Sequence, residues 1–202
     1  ALDDGKLRLS DRLFDIRPDL SLLPGDVEDP RVESITLQQL LQYTPGWKAL
    51  TQNPDSTNVD WKCFAAGVQS PDNWIRCARG VPLGAAPGAN QQYTSTSRQA
   101  MARMLDRVTD MSYLQYVQSD VFAPARLTGI SPAHSSISNR PASEVRYYPS
   151  DFWVTPGAAD IAAVEDASGG WAGAPGSVLR FFRAVGGDGP TGPIISASSA
   201  SL

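Results

Sequence analysis

Residues 81–110 constrain the fold of this chain more tightly than any other stretch. Val81-Pro82-Leu83-Gly84-Ala85-Ala86-Pro87-Gly88 mixes proline, which lacks a backbone donor, with glycine, which accepts left-handed turns. Such a run turns the chain and extends neither a helix nor a central strand. Gln92-Tyr93-Thr94-Ser95-Thr96-Ser97 follows, a tyrosine and four hydroxyl residues. From about residue 96 to 110, Ala100, Met101, Met104, Leu105 and Val108 recur at helical spacing, and Arg98, Arg103, Asp106 and Arg107 are predicted to face water. The turn therefore delivers Tyr93 to the head of an amphipathic helix. A tyrosine so placed acts as a general base where a neighbouring cation lowers its pKa from about 10.

Other helices are expected on either side. Thr36 is placed to cap one that carries Leu37, Leu40 and Leu41 and stops before Tyr43-Thr44-Pro45-Gly46. Ser112 caps a second over 112–122, with Leu114, Val117 and Val121 as its apolar stripe. Pro175 suits the first turn of a last helix built on Val178, Phe181, Phe182 and Val185. Gly5 reads as a helix stop, and Leu7, Leu9, Leu13 and Phe14 as a short extended or turn segment. Residues 47–91 read as loop-rich, with Trp47, Trp61 and Trp74 anchoring short helical or irregular pieces. Residues 124–168 lack sustained periodicity, and Tyr147, Tyr148, Phe152 and Trp153 are expected to cover a core or line a cleft. Ser196–Leu202 is expected to fray. The 202 residues thus read as a single, mainly α, helix-rich domain with long connections.

Charge and composition remove several classes of function. A net charge of −4, with 17 basic residues scattered along the chain, gives nucleic acid no basic face and a membrane surface no polybasic patch. No run of 18 apolar residues spans a bilayer. Cys63 and Cys77 are the two cysteines. A disulfide between them would close a loop of about 15 residues, worth roughly 3 kcal/mol, and would place the chain in a secreted or periplasmic, oxidising location. Two separate buried thiols are the alternative.

Most catalytic sets are missing. His134 is the single histidine, in the turn-like Ser131-Pro132-Ala133-His134-Ser135-Ser136, and reads as a solvated loop residue rather than a triad base. There is no G-x-S-x-G elbow, no metal-ligand cluster and no calcium-loop spacing, so no metal or cofactor is expected. The glycine-rich stretch 186–192 lacks the Gly-Lys-Ser/Thr of a phosphate loop. Asp3-Asp4 and Glu165-Asp166 are sequence neighbours and read as solvated surface.

Five segments, in order, resemble the serine β-lactamase and penicillin-binding-protein superfamily, especially its class C, esterase and D-aminopeptidase-like branch. Residues 2–11, Leu-Asp-Asp-Gly-Lys-Leu-Arg-Leu-Ser-Asp, look like the stretch after the family's nucleophile helix. Residues 35–46, Ile-Thr-Leu-Gln-Gln-Leu-Leu-Gln-Tyr-Thr-Pro-Gly, are similar to its I-T-L-x-x-L-L-x-H-T-S-G segment. Pro87-Gly88 with Tyr93-Thr94-Ser95 resembles its P-G … Y-S-N. Tyr113–Val117 through Phe122-Ala123-Pro124-Ala125-Arg126-Leu127, and then Gly169-Gly170-Trp171 with the helix after it, resemble two further family segments.

The resemblance implies the helical lobe of a β-lactamase/transpeptidase-like α/β fold, with little sheet. It implies Tyr93 as catalytic base and Ser95, Gly169, Gly170 and Trp171 on the substrate side, acting on a small-molecule or peptide-like acyl substrate. Two family motifs are absent. The chain has no S-x-x-K, its lysines being Lys6, Lys48 and Lys62, and no K-T-G or H-x-G. Ser95 also stands where the family usually carries Asn, exchanging an amide's paired donor and acceptor for one hydroxyl. The expectation is a segment whose nucleophile and sheet strands come from the remainder of the same protein, and which is inactive alone. The alternative is a non-catalytic relative serving as a binding or interaction module.

Overall fold

The structure, a computed structural model, describes residues 1–68, 70–134, 139–145, 166–187 and 192–200. Tyr147, Tyr148, Phe152 and Trp153 lie outside the described residues. The chain divides into two compact units, Ala1–Asp110 and Met111–Leu202. The described structure is mostly helical, with one two-stranded antiparallel sheet, as the resemblance implies. Among the described residues, no helix is long and apolar enough to cross a membrane.

The first unit is built around one long helix. Five helices are named here: α1 (Leu13–Ile16), α2 (Leu37–Leu41), α3 (Val59–Ala65), α4 (Pro71–Arg79) and α5 (Ser95–Thr109). α1, α2, α3 and α4 all pack on α5. The core between them contains Leu13, Phe14, Leu20, Ile35, Leu40, Trp47, Val59, Trp74, Ile75 and Met104, all buried. Asp110 ends α5 in the left-handed conformation, φ 55°.

Local signals set most of these boundaries. Thr36 and Gln39 exchange side-chain and backbone bonds in a capping box that starts α2, as its position predicts. Gly5, at φ +68°, closes a turn in which Lys6 N–H reaches Ala1 O and Gly5 N–H reaches Leu2 O. That is the bonding of a Schellman helix end. Leu13 and Phe14 lie on a helical turn rather than in an extended segment.

Two of the short pieces expected around the tryptophans are helices: α3 carries Trp61 and α4 carries Trp74. Ser70 caps α4 by accepting from Asn73 N–H, and Pro71 occupies its first turn. Trp74, Ile75 and Ala78 are its buried face, and Trp47 and Trp74 are the anchors expected, whereas Trp61 is half-buried. The two helices are joined by the Cys63–Cys77 disulfide, Cα atoms 5.7 Å apart.

α5 departs from its predicted amphipathic face. Arg103 is buried rather than wet, pairing with Asp106 at 3.0 Å while its carbonyl accepts from Arg17 at 3.1 Å. Ser97, Gln99 and Ala102 are buried as well. A helix ringed by four others has no single apolar side.

In the second unit, α6 (Tyr113–Tyr116) runs into a π-helical turn, Val117–Phe122. Ser112 caps α6 as predicted, in a capping box with Gln115. Leu114, Val117 and Val121 are only half-buried. β1 (Ile130–Pro132) pairs antiparallel with β2 (Trp171–Gly173), in the register Ile130↔Gly173 and Pro132↔Trp171. α7 (Pro175–Val185) follows, with Pro175 in its first turn as expected.

The buried face of α7 keeps only part of the predicted apolar stripe: Phe181 packs against the core and Val185 is half-buried. Ser177 and Ala184 point inward, Ser177 Oγ donating to Thr128 O at 2.7 Å, whereas Val178 and Phe182 are exposed. Small residues allow the helix to approach the Ala125, Leu127 and Ile130 cluster closely. His134 is not a solvated residue. It is half-buried, its amide and Nδ1 bonded to the Glu144 carboxylate at 3.1 Å each. Burial alone would push Glu144 up, but these bonds and the Arg140 charge leave it below its ordinary pKa. A last helix, α8 (Ala197–Ala200), forms where fraying was expected, started by Ser196 Oγ accepting from Ser199 N–H.

Candidate active site

Tyr93 stands where the sequence places it, at the head of α5. Thr94 is the N-cap, accepting from Ser97 N–H, and Tyr93 precedes it with 52% of its surface exposed. The Pro/Gly run upstream is stitched to the turn after α2. Gly84 and Ala85 N–H reach Gly46 O, Gly88 N–H reaches Thr44 O at 2.7 Å, and Gln92 N–H reaches Tyr43 O at 2.7 Å. Gly46, at φ +101°, is required there, because a Cβ would lie 2.5 Å from Ala85 O.

Two residues that sequence reasoning did not single out flank the tyrosine. The Tyr43 ring lies 5.2 Å from the Tyr93 ring, tilted 46°. Arg98 sits over both, its guanidinium carbon 5.3 Å from the Tyr93 ring centre and 5.8 Å from that of Tyr43. Arg98 Nε also donates to Tyr43 Oη at 2.6 Å. Arg98 is thus a cation supplied from α5 itself and held against the Tyr93 ring face. Tyr43 has φ 56°, an uncommon conformation for a large side chain and a recurrent mark of constrained functional segments. Its place just before Thr44-Pro45-Gly46 was the available signal.

A third omission is Asp60, on α3. It is 7% exposed and accepts from Ser95 N–H at 2.8 Å, Thr96 N–H at 3.0 Å and Thr96 Oγ1–H at 2.7 Å. Trp74 Nε1–H donates to the same Thr96 oxygen at 2.8 Å. Burial pushes the Asp60 carboxyl above its ordinary pKa, opposed by the Thr96 hydroxyl and the two amides, which favour the charged form.

The predicted residues fall into three places. Tyr93 and Ser95 stand together before and at the start of α5, Ser95 half-buried and held through its backbone. Cys63 and Cys77 form the disulfide between α3 and α4. Gly169, Gly170 and Trp171 belong to the second unit. Gly170, at φ +67°, accepts from Ala133 N–H at 2.7 Å, and open space surrounds the Cβ position of Gly169. The Trp171 indole packs edge-on against Phe122 and donates to Asp166 O at 2.8 Å.

The beta-lactamase family profile matches residues 1–200. The chain belongs to the beta-lactamase family. Solved structures with this fold include a D-stereospecific amidohydrolase from Streptomyces sp., 17% identical with a TM-score of 0.69 over 99% of this chain and 58% of that one. An octameric penicillin-binding protein homologue from Pyrococcus abyssi is 17% identical, with a TM-score of 0.67 over 96% of this chain and 42% of that one. Simvastatin synthase from Aspergillus terreus is 20% identical, with a TM-score of 0.61 over all of this chain and 52% of that one. This beta-lactamase-family chain thus spans about half the length of these solved relatives. Curated proteins give no match.

Proposed function

We propose that this chain supplies the tyrosine arm of a β-lactamase-like serine hydrolase that cleaves ester, amide or β-lactam-like acyl substrates through an acyl-enzyme. The observation that carries the reading is Tyr93, exposed at the head of α5 with the Arg98 cation against its ring, in a chain of this family. A serine hydroxyl from the remainder of the same protein attacks the acyl carbonyl while Tyr93 Oη takes its proton. The tetrahedral adduct collapses, the leaving group takes that proton back, and water then hydrolyses the acyl-enzyme.

Ser95 is assigned to orienting the substrate acyl group, offering a single hydroxyl. Gly169 and Gly170 are assigned to the substrate side through their backbone, where the lack of a side chain admits close approach. Trp171 contributes there through its β2 backbone, since its indole is engaged with Phe122 and Asp166. The disulfide supports a secreted or periplasmic location.

Labelling of the full-length gene product with a fluorophosphonate or penicillin probe tests the proposal. Labelling is expected, with Tyr93→Phe slowing it about 100-fold or more, in the range of general-base catalysis. The 202-residue chain alone is expected not to label. The absence of S-x-x-K and K-T-G from these residues favours a second reading, a non-catalytic binding module. A full-length product that folds and takes up neither probe establishes that reading.

A further inference from the structure

α5 has more at its N-terminus than a helix needs. Thr94 caps it, its Oγ1 accepting from Ser97 N–H at 3.2 Å and pairing with Ser97 Oγ at 2.7 Å. A second acceptor, Asp60, has been brought from α3 and buried against the two preceding amides and the Thr96 hydroxyl. Burying a carboxylate is expensive even when every lone pair is matched, and an apolar residue of similar size commonly serves stability as well. What the carboxylate adds is geometry. Its two oxygens take three donors from consecutive residues, Oδ2 from Ser95 and Oδ1 from Thr96 twice.

The Thr96 hydroxyl is then both donor, to Asp60, and acceptor, from the Trp74 indole. Three helices therefore meet at one side chain, two residues before Arg98 and three after Tyr93. Behind this junction lies the disulfide. Asp60 and Cys63 are three apart on α3, and Trp74 and Cys77 three apart on α4, so each pair shares a helix face. The bond between Cys63 and Cys77 holds the separation of the two helices that grip Thr96.

We propose that Asp60 is a positioning residue for the tyrosine site: through Ser95 and Thr96, with Trp74 as counter-support, it fixes the backbone from which Tyr93 and Ser95 project. The inference rests on the tyrosine reading above. Asp60 takes no proton from substrate or nucleophile. It holds the segment that does the chemistry, and a 1 Å displacement of such a segment lowers reactivity by about 100-fold.

The test uses the full-length protein, with saturable acylation by a penicillin probe separated into a binding constant and a first-order acylation rate. Asp60→Asn keeps the volume and one carbonyl acceptor but loses the charge and the second acceptor. It is expected to lower the acylation rate at least about tenfold, with the binding constant within about twofold of the parent. Thr96→Val and Thr96→Ser separate geometry from packing, since Ser keeps the hydroxyl and Val keeps the volume. Ser is expected to retain the parent rate and Val to lose it.

A folded Asp60→Asn with the parent acylation rate overturns the proposal. Where Asp60→Asn does not fold, the Thr96 pair decides: equal rates for Val and Ser overturn it, and loss confined to Val sustains it. Tyr93→Phe in parallel keeps the two readings apart. Slowing by Tyr93→Phe without slowing by the Asp60 and Thr96 variants sinks the positioning role alone. A Tyr93→Phe that acylates at the parent rate sinks the tyrosine reading itself.

Discussion

Replacing Cys63 and Cys77 together by alanine tests how far the first unit depends on its one covalent cross-link. The two cysteines are 14 residues apart in sequence. On the chain-entropy account, releasing a loop of that size returns about 10 cal/mol/K to the unfolded chain, or about 3 kcal/mol at 25 °C. Both side chains are buried, at 0% and 1% exposure, so the missing sulfur atoms add a smaller packing loss. For a unit of the length of Ala1–Asp110, the unfolding entropy is about 0.23 kcal/mol/K. The melting temperature of that unit should therefore fall by about 13 °C. Differential scanning calorimetry of the oxidised parent, the reduced parent and the double variant measures the drop. The reduced parent isolates the cross-link, because it keeps both sulfurs. A fall below about 4 °C in the reduced parent, equivalent to less than about 1 kcal/mol, would refute the reasoning. It would mean that α3 and α4 already pair in the unfolded ensemble, leaving the bond little entropy to remove.

Two further substitutions probe the frame. Asp29 caps the short 3₁₀ turn Pro30–Ser34 and takes the Arg31 guanidinium and Leu83 N–H, which hold its carboxyl at about 2, below the ordinary 3.8. Because the folded-state pKa is depressed, its contribution is complete above about pH 4 and is lost as pH falls through 2. Asp29→Asn should then lower stability by about 1–2 kcal/mol at pH 7, solvent around the half-exposed Arg31 screening part of the pair. The gap in melting temperature between parent and variant should close between pH 4 and 2, and a gap independent of pH contradicts the assignment. Gly46→Ala forces a Cβ to 2.5 Å from Ala85 O at φ +101° and should destabilise by on the order of 3 kcal/mol. The same change should slow acylation, since Gly46 O anchors the run that leads to Tyr93, and a variant with parent melting temperature and rate removes that link.

What the sequence made legible was what neighbouring residues decide among themselves. The Thr36 and Ser112 caps were readable because a capping box closes within four residues. α5 was readable because its stripe sustains helical spacing for fifteen residues. Around Trp74 the sequence left a helical and an irregular piece both open although Ser70-Pro71 announces α4, because Asp72, Asn73, Arg76 and Arg79 dilute the apolar signal of a helix with one short buried face. Arg103 and the exposed half of the α7 stripe, Val178 and Phe182, were misread for a shared reason. Reading burial from residue type assumes that large apolar groups go inward and charges outward. Arg103 is inside because Asp106 accompanies it, and Ser177 and Ala184 are inside because smallness permits closer approach than Phe182 would.

The candidate site divides along the same line. Tyr93 could be found from order and local context, since the Pro/Gly run, the hydroxyl residues and the helix are contiguous. Its surroundings could not. Arg98 resembles any solvent-facing charge until Tyr43, 55 residues away in sequence, comes to lie beneath it. Asp60 is a lone acid between Val59 and Trp61, and its partners begin 35 residues later. No periodicity encodes contacts at that separation, because they exist only once α3, α4 and α5 have packed. The division carries a consequence for relatives of this chain. A sequence that keeps the tyrosine segment but loses the acid on the α3 face would still match the family pattern, yet on this geometry its tyrosine would project from a loosely held backbone. On the positioning proposal, an acid at position 60 with the threonine at 96 that it grips is expected to track acylation rate among relatives better than the tyrosine does by itself.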